Sequence, residues 1–180
     1  MKTRRKFFGL LLALILCAAL TGCGSAGGGS PDAQAKSAAR KLLTEFYTVD
    51  AKASAAFDPK GMSAAQIDSL HQKFRAALTQ KEYAAFISNR TFLRYVASCR
   101  AAGATIALQS ITLTKVDDPS AEQGGAMQYD YAAVFRVTSS GHSSVQRETG
   151  EIGLIRQAGA WKVNYLDISG RSDFTGAHAG

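Results

Sequence analysis

The chain has 180 residues, with 21 Lys and Arg against 14 Asp and Glu, a formal net charge of +7 and 46% hydrophobic residues. That length suits one domain with one core, and three cysteines are too few for a disulfide framework. Basic residues are interspersed with acidic ones rather than gathered in runs, so the pattern of a nucleic-acid-binding arm is missing and no nucleic-acid partner is expected.

The first residues carry Lys2, Arg4, Arg5 and Lys6, an apolar run follows from Phe7 to Leu20, and Leu20-Thr21-Gly22-Cys23 closes the segment. A basic head, a short apolar stretch and small residues at a cut form an export signal, and the run is too short for the roughly 20 apolar residues of a membrane span. The Leu-Thr-Gly-Cys ending resembles the bacterial lipobox. That resemblance implies a signal peptide over residues 1–22 and acyl chains on Cys23, the first residue of the mature lipoprotein. Two or three chains on one residue hold a protein stably to a bilayer, whereas one holds it only marginally. Arg4-Arg5 followed by Phe7-Phe8 also resembles a twin-arginine signal, ranked second to the general secretory route because the apolar stretch is so hydrophobic. The expected location is the extracytoplasmic face of the cell membrane.

Loss of the signal leaves 17 basic residues against 14 acidic, a charge of +3. Residues 24–30, Gly-Ser-Ala-Gly-Gly-Gly-Ser, read as a flexible tether spanning about 15 Å. Cys17 leaves with the signal and Cys23 is acylated, which leaves Cys99. Its apolar helical surroundings, Phe92 to Cys99, make it a small buried hydrophobe.

Residues 31–169 read as one α+β domain. Ser30-Pro31 starts a helix with Ala35, Ala38, Ala39, Leu42, Leu43, Phe46 and Val49 at helical spacing. Asp58-Pro59-Lys60-Gly61 breaks the chain, and the capping-box pattern from Ser63 to Gln66 opens a second helix with Ile67, Leu70, Phe74 and Leu78 inward. Thr79 to Glu82 repeats that spacing before a third helix that ends at Gly103, with Ser88-Asn89-Arg90-Thr91 as a candidate interruption.

From residue 105 the period becomes alternating. Ile106 and Leu108 differ in parity from Ile111 and Leu113, which predicts a β-bulge. Met127, Tyr129, Tyr131, Ala133, Phe135 and Val137 share one face of a long strand, opposed by Gln128, Asp130 and Arg136. Ser144 to Arg156 and Ala160 to Ile168 form a hairpin across Gln157-Ala158-Gly159. Residues 170–180 are small and polar and are expected to be disordered.

This order of elements, the long alternating strand and the closing hairpin from Ile155 to Val163 with its glycine turn and Trp161 resemble the nuclear transport factor 2-like superfamily. The resemblance spans residues 31–169 and implies N-terminal helices packed in the concave face of a strongly bent antiparallel sheet, a cystatin-like cone. It also implies two functional classes: isomerases, dehydratases or cyclases with a pocket in the cone, and non-catalytic domains.

For the pocket, Tyr129, Tyr131, Phe135, Tyr165 and Trp161 are candidate ligand contacts, against a competing role in core packing. Asp130 and Asp167, with Tyr131 or Tyr165, are candidates for a lyase or isomerase site of carboxylate base and tyrosine. Glu148, Glu151 and Asp167 otherwise read as members of solvated ion pairs with Arg136, Arg147 or Lys162. His71, His142 and His178 read as surface residues. No spacing for a metal, a nucleotide loop or a nucleophile elbow is present, so no cofactor is expected.

Lys36, Arg40 and Lys41 read first as a solvated helix face and second as a patch for anionic lipid. The leading expectation is a non-catalytic envelope lipoprotein that binds a protein, a cell-wall component or a small ligand. A lyase or isomerase ranks second. A dimerising module built on exposed Val134, Ile152 and Leu154 is a third possibility.

Overall fold

The computed structural model describes residues 29–117 and 125–170. Cys23, the expected signal segment and residues 171–180 lie outside them, whereas Gly170, expected in the disordered tail, is the last residue of a strand. Contacts divide the chain into residues 1–30 and a second unit from Pro31 onward, which holds every element below.

Helix α1, Pro31–Phe46, starts with proline in its first turn and buries Ala35, Ala39, Leu42, Leu43 and Phe46. Val49 does not extend it. Instead Val49 exchanges two backbone hydrogen bonds with Ile106, of 3.0 and 2.9 Å, because a strand edge there needs partners more than the helix needs another turn. A short helix α2, Ala51–Ala55, follows, capped by Asp50 accepting from the Ala53 N–H at 2.7 Å.

Helix α3, Ala64–His71, opens with the expected capping box at Ser63 and Gln66. It is shorter than the sequence pattern predicts. A 3-10 turn over Gln72–Phe74 takes over, and Ala77 and Thr79 then hydrogen-bond the backbone of Val163, 2.9 and 2.8 Å. The expected third helix is two: α4, Gln80–Ser88, capped by Thr79, and α5, Thr91–Ala102. The break falls where Arg90 takes the left-handed conformation, φ 52°, a geometry no helix can pass through. Gly103, at φ 58°, ends α5.

Four strands follow: β1 Ala104–Lys115, β2 Ala126–Ser139, β3 His142–Gln157 and β4 Ala160–Gly170. They pair antiparallel in the order β1-β2-β3-β4. The β1–β2 register shifts between Leu108 and Ser110, as the change of parity predicts. Two-residue turns close the later hairpins, with Ser140 and Gly141 at φ 48° and 80° and Ala158 and Gly159 at φ 51° and 80°. Positive φ at both positions matches the natural twist of the strands.

The helices cover one face of this sheet, giving the α+β architecture that the resemblance implies. The shared core runs from Ala35, Leu42 and Phe46 on α1 through Phe74, Phe86, Phe92 and Val96 to Tyr129, Phe135, Ile152 and Leu154. Cys99 belongs to it at 1% exposure, and burial pushes its thiol up to about 11. Ile152 and Leu154 are fully buried, so they do not join Val134 in an outward apolar patch. Among the described residues no helix is long and apolar enough to cross a membrane.

Candidate functional site

Among the described residues, the covered face buries one carboxyl group. Glu148 on β3 is 1% exposed, which corrects its expected place in a solvated ion pair. Parity dictates this position: Glu148, Gly150, Ile152 and Leu154 alternate along β3, and all four are buried.

Two tyrosines from the helical layer meet it. The Tyr47 hydroxyl donates to Glu148 Oε2 at 3.1 Å, and the Tyr95 hydroxyl donates to the same oxygen at 2.5 Å. The hydroxyl of Tyr131, on β2, lies 3.2 Å from that of Tyr47 and 3.2 Å from the Asp167 carbonyl oxygen, to which it donates. The three protons can be traced. Two enter Glu148, and that of Tyr131 is shared between the Asp167 carbonyl and the Tyr47 oxygen.

Aromatic packing locks these groups. Tyr47 stacks on Phe135 at 5.1 Å, meets Tyr95 edge-on at 6.0 Å and meets Phe46 edge-on at 4.9 Å. Burial pushes the Tyr47 and Tyr131 hydroxyls well above the usual phenol range, and the nearby Glu148 adds to the effect. Both stay neutral donors at any physiological pH.

Gly150 completes the arrangement. It pairs with Tyr131 across β2 and β3. A Cβ there would sit 2.0 Å from the Asp167 carbonyl oxygen and 2.8 Å from the Tyr131 ring and hydroxyl. The bare backbone is what lets the Tyr131 ring lie close enough to reach Asp167.

The remaining candidates scatter. Tyr129 is buried and donates to Asp32 Oδ1 on α1 at 3.0 Å. Phe135 is core. Trp161 is half-buried, with an indole N–H that is buried without an acceptor. Tyr165, 44% exposed, stands over Gly153 on the open face, away from Tyr131.

Asp130 and Asp167 are exposed, so neither supplies a buried base to the cone; Asp167 contributes only its backbone carbonyl. With Glu151 they form a row across the open face, since Asp130 pairs with Glu151 and Glu151 with Asp167. A groove of about 390 Å³ runs beside this row, lined by Thr112, Thr114, Asp130, Arg147, Thr149 and Glu151 among others.

His71 is also corrected. It is 0% exposed, its Nδ1 lies 2.7 Å from the Ile67 carbonyl oxygen, and its ring meets Phe86 and Phe92 edge-on. Its Nε2 is buried without a partner, and burial lowers its basicity, with Lys73 acting the same way and Asp68 and the Ile67 carbonyl opposing. On the basic helix face, Lys36 pairs with Asp32 at 2.9 Å and Arg40 donates to the Ile111 carbonyl at 2.6 Å, while Lys41 is exposed. Among the described residues, no group of three or more His, Cys, Asp and Glu is placed to hold a metal ion.

Sequence reasoning missed Glu148, Tyr47 and Tyr95 as a group. The parity of β3 carried the signal for Glu148, and Tyr95 lies between inward-facing Phe92 and Val96 on α5. Nothing local ties these positions to Tyr47, 101 residues before Glu148.

No family model matches the chain, and no curated protein matches it. Among solved structures it is similar to an IcmL-like type IV secretion system protein from Legionella pneumophila, with a TM-score of 0.53 at 13% identity over 81% of this chain and 97% of that one. It also matches an NTF2-like protein with a cystatin-like fold from Novosphingobium aromaticivorans, with a TM-score of 0.40 at 13% identity over 92% and 90%. A third match is Aln2 from a Streptomyces species, with a TM-score of 0.43 at 16% identity over 79% and 93%. The likeness to the first shows a shared fold.

Proposed function

We propose that the chain is an extracytoplasmic lipoprotein, anchored through acylated Cys23, whose domain binds a partner or ligand rather than transforming one. The observation that carries the non-catalytic half is the interior of the cone. Its one buried carboxyl among the described residues is engaged by the protein's own hydroxyls, and the aromatic side chains around it pack on one another. A catalytic carboxylate has to meet substrate, and such a group is usually a stability liability. Glu148 instead acts as a keystone between the helical layer and the sheet. Envelope association is compatible with a fold that an IcmL-like secretion system protein also adopts.

Two experiments test the two halves. In cell fractionation, Cys23→Ala moves the protein out of the membrane fraction; processed, membrane-bound Cys23→Ala protein would remove the anchor. In urea denaturation, Tyr95→Phe lowers stability by about 1–3 kcal/mol, the range for leaving a buried acceptor short of a donor. An unchanged or stabilised Tyr95→Phe protein would instead mark the cluster as kept for chemistry.

A further inference from the structure

We infer that a second site, outside the cone at the edge of β4, binds a small saccharide carrying a carboxylate. It lies where the first turn of α4 meets the end of β3, in a shallow, open cavity of about 640 Å³ lined by Thr79, Gln80, Lys81, Ile155, Gln157 and Asn164 among others.

The lining has the chemistry of sugar recognition. Gln80, Gln157 and Asn164 each offer a carboxamide, which donates and accepts at once and so matches hydroxyls that do the same. Ile155 supplies an apolar surface for the C–H face of a ring. Among the described residues, Lys81 is the only charged side chain in the lining. The neighbouring Glu82 does not line the cavity; burial raises its pKa, with the Leu166 backbone and the Lys81 charge opposing.

Asn164 is the least expected member. The β3–β4 register shifts between Gly153, paired with Tyr165, and Leu154, paired with Val163, so Asn164 stands opposite no residue. Its Oδ1 is buried with no hydrogen-bond partner, and a Cβ on Gly153 would lie 3.2 Å from it. A buried amide oxygen without a donor is costly. Because that oxygen forfeits no bond on moving, the carboxamide can turn toward a ligand hydroxyl and gain one. Hydroxyls therefore meet the amides while a carboxylate meets the Lys81 ammonium, a charge-assisted contact stronger than a neutral one.

This site deepens the reading of the domain as a binding module and rests on it. That reading is tested at Cys23 and Tyr95, which lie outside this cavity, so the two can fail separately. The experiment is saturation-transfer NMR on the detergent-purified full chain, with trigalacturonate as the acidic probe and maltotriose as the neutral one. Trigalacturonate binds saturably and about tenfold more tightly than maltotriose, a gap of about 1.4 kcal/mol. Lys81→Gln closes the gap, and Gln157→Ala, at an exposed position, weakens both probes without shifting the melting temperature. Transfer to neither probe overturns the site. Equal binding of the two, or a Lys81→Gln protein that behaves as wild type, overturns the assignment of an acidic sugar.

Discussion

Glu148 and Glu151 stand three residues apart on one strand, and their surroundings are opposite. Glu148 faces the helices, is 1% exposed and takes two tyrosine hydroxyls on one oxygen. Glu151 faces outward, pairs in register with Asp130 on one side and Asp167 on the other, and accepts one bond from Gln128 at 3.2 Å. The covered face uses its polar groups to hold the fold together. The open face sets three carboxylates in a row beside Arg147, and like charges directly opposite one another cost stability.

Substitutions on the two faces sharpen that contrast. The largest effect is expected at Gly150, where any side chain meets the Asp167 backbone at 2.0 Å and the Tyr131 ring at 2.8 Å. Gly150→Ala loses about 3 kcal/mol or more, at the top of the overpacking range, because backbone cannot step aside. A melting temperature within a degree of wild type would show that Tyr131 does not depend on that gap.

His71, beneath the covered face, makes stability depend on pH. Its pKa in the fold is below the unfolded value of about 6.5. The unfolded chain therefore takes up the proton first, and stability is complete above that pH and falls as acid carries the solution through the folded pKa. The slope is at most about 1.4 kcal/mol per pH unit. Urea midpoints at pH 7 and pH 5 should differ more for wild type than for His71→Phe; equal differences would place the proton elsewhere.

The smallest effect belongs to the open face. Glu151→Gln removes one charge from the row of three and should stabilise by roughly 0.2–1 kcal/mol. A clear loss in the same denaturation experiment would mean that Glu151 holds the fold as Glu148 does.

The same contrast explains what could be read beforehand. Periodicity reveals which face a residue occupies, so the paired strands, the bulge after Leu108 and most of the core followed from spacing alone. His71 and Glu148 obeyed that spacing too. Ile67, His71, Phe74 and Leu78 form a helical stripe, and Glu148 shares parity with Ile152 and Leu154. Polarity alone would put both at the surface, a prior that a buried hydrogen bond overrides. The meeting of Tyr47, Tyr95 and Tyr131 with Glu148 joins distant parts of the chain, and no local pattern encodes it. The early end of α3 and the bridging of Val49 were hidden for a related reason: backbone groups there are claimed by strand edges remote in sequence.

Those two bridges have a consequence for solubility. An unprotected outermost strand invites a neighbouring molecule to add its own, the first step toward fibrils and runaway stacking. Here Val49 occupies the rim of the first strand at Ile106, Arg40 takes the Ile111 carbonyl, and Ala77 and Thr79 bracket Val163 on the last. With both rims sealed at these points by the chain's own segments, crowding of many copies on a surface should not seed polymer growth there.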